Sequence, residues 1–282
     1  MGSESDQTAR TYPHGVPSWV DTEQPDVETA LAFYGGLFGW TFVDAMPPGS
    51  QSRYVIAQLN GRDVAAIGGP LAGHAPTWST YVSVDDADAA VVRLTSSGAT
   101  VRSGPADAGE GGRSVVLTDP EGAEFRLWQP RRRLGVQVAN ESGAWNFSDL
   151  HTANPHAAIA FYEQAFGWEF DDFGFGTLIR RPGYGDHLEA TVDPDIRARQ
   201  AQVSAPVGFE DAIARLAATT EGEQPNWHVL FTVADRDRTV VDAERLGAQV
   251  LATADTGWTR TALIRDPQGA RFTVSQFAPS SG

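Results

Sequence analysis

Cysteine is absent from the 282-residue chain, and with it go disulfides, thiolate nucleophiles, Cys-ligated zinc and iron–sulfur clusters. Lysine is absent too, since all 21 basic residues are arginine; Schiff-base chemistry and a P-loop lysine are therefore excluded. Positive charge is scarce overall, and 36 acidic residues give a formal net charge of -15. Such a charge opposes a phosphate backbone, so no nucleic-acid partner is expected. No apolar run approaches the roughly 20 residues of a membrane-spanning helix. The N-terminal MGSESDQTAR also lacks the apolar core of a signal peptide. The expectation is a cytoplasmic chain with no membrane partner.

What is present is a globular balance, with 41% hydrophobic and 20% charged residues, and enough length for two domains that each bury a core. An internal repeat organises it. Residues 30–42 read ALAFYGGLFGWTF and residues 158–170 read AIAFYEQAFGWEF, an offset of 128. Val84-Asp85-Asp86 through Gly98-Ala99 matches Val233-Ala234-Asp235 through Gly247-Ala248. Asp119-Pro-Glu-Gly matches Asp266-Pro-Gln-Gly, each with an arginine six residues upstream, Arg113 and Arg260. The offset grows in the later pairs, which places an insertion of about twenty residues in the second copy, within the Pro-, Arg- and Glu-rich stretch 192–222.

Each copy divides again. Helical spacing of Val27, Ala30, Leu31, Tyr34 and Phe38 after Asp26 predicts a helix stopped by Gly39. Strands are expected at 16–22, 40–44, 53–59 and 63–69, with Asn60-Gly61 as a tight hairpin turn. Residues 78–128 repeat the order, giving a βαβββ unit used four times. The fold class is α+β. Domains are expected at 12–130 and 144–279, joined by a linker at 131–143 in which Arg131-Arg132-Arg133 is solvated.

This tandem pattern, with Phe33-Tyr34 and Phe38-Gly39-Trp40, Phe161-Tyr162 and Phe166-Gly167-Trp168, and the two Asp-Pro-x-Gly turns, resembles the vicinal oxygen chelate superfamily. That group includes glyoxalases, bleomycin-resistance proteins and extradiol dioxygenases, and the two-domain actinobacterial members are the most similar. The resemblance implies four modules paired into two cupped, eight-stranded mixed sheets, each enclosing a cavity. In many members a divalent metal there acts as a Lewis acid. It also marks the ligand positions. The first falls on Trp19 and Phe147, the next on Ser79 and His228, and the last-strand carboxylate on Arg126 and Thr273. Tryptophan and phenylalanine bind no metal, and a guanidinium opposes one.

No cofactor is expected, and a divalent metal only in the second domain. If 186–191 is a strand, His187 and Glu189 share a face by alternation and with His228 make a two-histidine, one-carboxylate set. The other reading makes Gly183-Tyr184-Gly185-Asp186-His187 a surface turn. His228 and Glu189 are the expected acid–base pair. Trp145, Phe147, His187, Trp227, Trp258, Arg260 and Thr273 are the expected ligand-binding residues. Core filling is the competing account of Trp19, Trp78, Trp145 and Trp227, and salt bridges the competing account of Arg113 and Arg260. Asp85, Asp86 and Asp235 read as charges at helix starts. His14, His74, His151 and His156 have no partner at informative spacing. The expected partner is a small oxygenated or aromatic molecule, in a monomer or homodimer. Lyase-, isomerase- or hydroxylase-like chemistry stands beside sequestration without turnover, and a module with both cavities filled is a third reading.

Overall fold

The computed structural model describes residues 9–70, 75–173, 176–203 and 205–279. The first module comprises β1 (Pro17–Glu23), α1 (Val27–Phe38), β2 (Thr41–Asp44), β3 (Tyr54–Leu59) and β4 (Arg62–Gly68). The second comprises β5 (Thr77–Ser83), α2 (Ala87–Ser96), β6 (Thr100–Asp107), β7 (Gly112–Thr118) and β8 (Glu124–Pro130). The third runs through β9 (Trp145–Thr152), α3 (Pro155–Phe166), β10 (Glu169–Asp172), β11 (Thr177–Arg180), α4 (Tyr184–Thr191), α5 (Ile196–Gln202) and β12 (Ala212–Ala218). The fourth has β13 (Asn226–Thr232), α6 (Arg236–Arg245), β14 (Gln249–Asp255), β15 (Thr259–Arg265) and β16 (Arg271–Phe277).

Local chemistry sets these boundaries. Asp26, Asp86, Asn154 and Asp235 each cap a helix by accepting a backbone N–H three residues on. Gly39 and Gly167 end α1 and α3 in the left-handed conformation that glycine adopts at no steric cost. Asn60 and Gly61 both have positive φ (52° and 75°) and turn β3 into β4 as the dipeptide predicts.

Two eight-stranded mixed sheets result, ordered β2-β3-β4-β1-β5-β8-β7-β6 and β10-β11-β12-β9-β13-β16-β15-β14. Within each, an opening strand runs parallel to the last strand of its module, with Tyr81 opposite Arg126 and Leu230 opposite Thr273.

Two sequence expectations are corrected. Residues 184–191 form a helix, not a strand, because Tyr184 and Leu188 bury at helical spacing. The extra residues therefore start before 192: they fill the β11–β12 connection, the place that the Asn60-Gly61 turn holds in the first module. Residues 131–143 contain no helix or strand, yet Val136 and Val138 are buried and the Gln137 N–H donates to the Asp63 carbonyl. Arg131 and Arg132 pair with Asp107 and Glu110.

The chain packs as two compact units that do not follow chain order. One gathers the described residues of Met1–Ser18, Tyr81–Gly135 and Leu150–Asn226; the other gathers those of Trp19–Thr80, Val136–Asp149 and Trp227–Gly282. Each unit is built around the repeated motif. In the first, Tyr162 stacks on Trp168 with ring centroids 5.0 Å apart, among Phe125, Phe161 and Phe166. The Tyr162 hydroxyl donates to Asp119, and the Trp168 indole donates to the Gly15 carbonyl. In the second, Tyr34, Phe38, Trp40 and Trp78 pack with Phe231 and Phe272. Tyr34 donates to Asp266 at 2.9 Å, and Trp40 to the Gly143 carbonyl. Each tyrosine is thus tied to an Asp-Pro-x-Gly turn of a different module. The other oxygen of each aspartate accepts the backbone N–H groups of its own turn, so the buried carboxylate is satisfied from both sides.

Candidate functional site

Alternation along the strands separates a core face from a far face. On β13, Trp227, Val229 and Phe231 are buried, and Phe231 lies in the aromatic core. His228 lies on the opposite face, half-buried. On β16 the same holds for core-facing Phe272 and half-buried Thr273. The His228 Nε2 is 2.8 Å from the Thr273 hydroxyl. A threonine hydroxyl both donates and accepts, so it satisfies that nitrogen in either tautomer. On β9, next to β13, Phe147 is half-buried and alternates with Ser148, whose hydroxyl accepts from the Trp145 indole and bonds Thr80. Trp145 and Trp227 are themselves buried, which places both in the core rather than against a ligand.

The remaining expected residues lie elsewhere. His187 and Glu189 sit on α4, where positions two apart point nearly opposite ways. The His187 Nε2 reaches the Thr11 carbonyl (3.0 Å) and hydroxyl (3.2 Å), and its ring stacks on Tyr184. Glu189 is exposed and bonds Arg197, as do Asp186 and Glu210; the hydrogen bond to Asp186 is the main reason the Arg197 pKa is raised. His187 and Glu189 belong to one compact unit and His228 to the other. The strand alternation expected to align them fails because the segment is helical. Among the described residues no group of three or more His, Asp or Glu side chains is placed to hold a metal ion. Trp258 is exposed and stacks on Phe277. Arg260 pairs with Asp237 and Asp255, and Arg113 with Asp88 and Asp107.

The first sheet carries different chemistry. The Trp19 indole donates to the Tyr54 hydroxyl at 3.0 Å, and Tyr54 donates to buried Asp21 at 2.9 Å. In the other unit, buried Arg126 donates to the Tyr81 hydroxyl at 2.8 Å, with its guanidinium 5.4 Å from the Tyr81 ring centre.

One pair was not legible in the sequence. The His151 Nδ1 is 2.6 Å from Glu223 Oε1, although the residues are 72 apart in the chain. Glu223 also accepts from the Thr220 N–H and hydroxyl and from the Asn226 amide. Partial burial works against its charge, but the bonds from Thr220, Asn226 and His151 win and hold its pKa at about 2. Of the other histidines, His14 has its pKa lowered, mainly by burial. His156 is exposed on α3, and His74 lies outside the described residues.

The family described as "Glyoxalase-like domain" matches residues 147–275, and the family described as "Glyoxalase/Bleomycin resistance protein/Dioxygenase superfamily" matches residues 23–127. The protein named "Putative glyoxylase CFP32" of Mycobacterium bovis is 35% identical over 95% of this chain and 97% of its own. The chain belongs to the glyoxalase/bleomycin resistance protein/dioxygenase superfamily. "Anthracycline biosynthesis protein DnrV" of Streptomyces peucetius is 32% identical over 92% of both chains. Among solved structures, the Mn(II)-bound glyoxalase from Novosphingobium aromaticivorans aligns with a TM-score of 0.60 at 15% identity, covering 93% of this chain and 82% of that one. The 2,3-dioxygenase LapB from Pseudomonas sp. KL28 aligns at 0.59 and 14% identity, covering 95% and 97%. At these identities the structures establish the fold alone.

Metal-bound members of the superfamily raise the question of fit. At the positions expected for ligands, the first sheet offers Trp19, Ser79 and Arg126, and the second Phe147, His228 and Thr273. A guanidinium repels a cation, and one imidazole with a hydroxyl is not a donor set for a divalent ion. These residues do not fit a metal. No helix among the described residues is long and apolar enough to cross a membrane.

Proposed function

We propose that this superfamily member takes a small oxygenated aromatic metabolite on the far face of β9, β13 and β16, where His228 passes a proton to or from it. The reading rests on one observation: His228 and Thr273 hydrogen-bond on that face, on parallel strands, with half-buried Phe147 on the neighbouring strand. An imidazole titrates near neutrality, and Thr273 exchanges donor for acceptor as the proton moves. Such acid–base assistance supplies about 10²–10⁴-fold in rate, enough for lyase- or isomerase-type proton shifts. The names of two relatives, a glyoxylase and an anthracycline biosynthesis protein, support an oxygenated and a polycyclic ligand respectively.

A hydroxyanthraquinone such as 1,8-dihydroxyanthraquinone is a direct probe. Its fluorescence is expected to titrate with the protein, with affinity reduced about tenfold or more in Thr273→Val and His228→Ala. Conversion followed by mass spectrometry is expected to fall about 10²–10⁴-fold in His228→Ala. Unchanged binding in both variants would remove this face from the reading.

A second reading is favoured by the position of Glu189, which bonds Arg197 and lies in the compact unit that lacks His228. With that carboxylate engaged elsewhere, the protein sequesters its ligand without turnover. The ligand is then recovered unchanged, and His228→Ala leaves affinity where it was.

A further inference from the structure

The His151–Glu223 pair has the geometry of a second proton-transfer site. An ionised carboxylate accepts hydrogen bonds and donates none, so the ring nitrogen 2.6 Å from Glu223 carries the proton. That fixes the tautomer: Nδ1 is protonated, and the Nε2 lone pair is basic on the opposite side of the ring. The carboxylate is itself held in place by Thr220 and Asn226. The Glu223 charge stabilises the imidazolium that would form when Nε2 takes a proton. Both side chains keep partial access to solvent, 19% for His151 and 22% for Glu223, unlike the buried Asp119 and Asp266. A carboxylate, an oriented imidazole and access to solvent together make an activated general base.

We propose that His151, oriented by Glu223, accepts a proton from the acidic O–H of a small phenol or enol. The ligand O–H bond breaks, the proton moves to Nε2, and the oxyanion remains opposite the imidazolium. This site lies in the compact unit that lacks His228 and does not depend on the role given to that residue.

The simplest test needs no ligand. Diethyl pyrocarbonate acylates an unprotonated imidazole, and peptide mass mapping reads each histidine separately. His151 is expected to react at least as fast as exposed His156, despite its lower exposure. Glu223→Gln presents an amide N–H to Nδ1, which moves the proton to Nε2 and removes the basic lone pair. Its expected effect is a roughly tenfold loss of His151 reactivity with His156 unchanged, and long-range ¹H–¹⁵N spectra should show the tautomer reversed. The ligand arm uses 1,8-dihydroxyanthraquinone, whose phenolate absorbs at longer wavelength than the phenol. The phenolate band of the bound dye should vanish in His151→Gln and Glu223→Gln and persist in His228→Gln. Slow acylation of His151 that Glu223→Gln does not alter would show a purely structural bond and overturn the proposal. So would a dye that binds without forming phenolate, or a phenolate band that survives in both variants.

Discussion

Tyr81 faces Arg126 across β5 and β8, and Leu230 faces Thr273 in the same register across β13 and β16. Around these matched positions the two sheets have diverged. The first carries Trp19, Ser79 and Arg126, with Glu23 where the second has His151; the second carries Phe147, His228 and Thr273. In the first, Trp19, Tyr54 and Asp21 bond one another, and Arg126 lies against Tyr81. In the second, two imidazoles sit beside groups suited to proton exchange, a hydroxyl for His228 and a carboxylate for His151. The core residues, by contrast, are nearly interchangeable: Tyr34, Phe38 and Trp40 repeat as Tyr162, Phe166 and Trp168, down to the carbonyl that accepts each indole N–H. Duplication has preserved the packing motif and released the far faces to different chemistry.

If the scaffold is equivalent in both copies, Trp40→Ala and Trp168→Ala should each lower unfolding free energy by about 3–5 kcal/mol. Denaturant melts of the two variants would reveal any inequality. Next in size, Tyr34→Phe and Tyr162→Phe each remove a hydrogen bond to a buried carboxylate, and should cost about 1.5–3 kcal/mol. A null result in either would mean that its tyrosine–aspartate bond carries no weight. The smallest effect concerns acid. Glu223 has a folded pKa of about 2, below its ordinary 4.5; its contribution is present above that ordinary value and is lost as pH falls toward 2. The stability difference between wild type and Glu223→Gln should therefore shrink across that window. The first sheet has no such pair at Glu23, so Glu23→Gln should show no matching loss.

The repeat, the capping residues and the Asn60-Gly61 turn were legible because each acts over a few residues. The helix at 184–191 was not. Its signal is two buried residues four apart, Tyr184 and Leu188, with glycines and charges around them, and alternation of His187 with Glu189 read equally well. His151 and Glu223 were beyond reach for a different reason. Nothing local marks a histidine on one strand as the partner of a glutamate in a turn 72 residues later. The same holds for Tyr34 and Asp266: both motifs stand out in the sequence, but not that one binds the other.

That last bond joins residues 232 apart. The unit containing it needs residues 19–80 together with 227–282, so it cannot close until the ribosome has released almost the entire polypeptide. A gene cut between the two copies would therefore yield a first half whose Phe38, Trp40 and Trp78 have lost Phe231 and Phe272, leaving an adhesive aromatic surface in place of an independent domain.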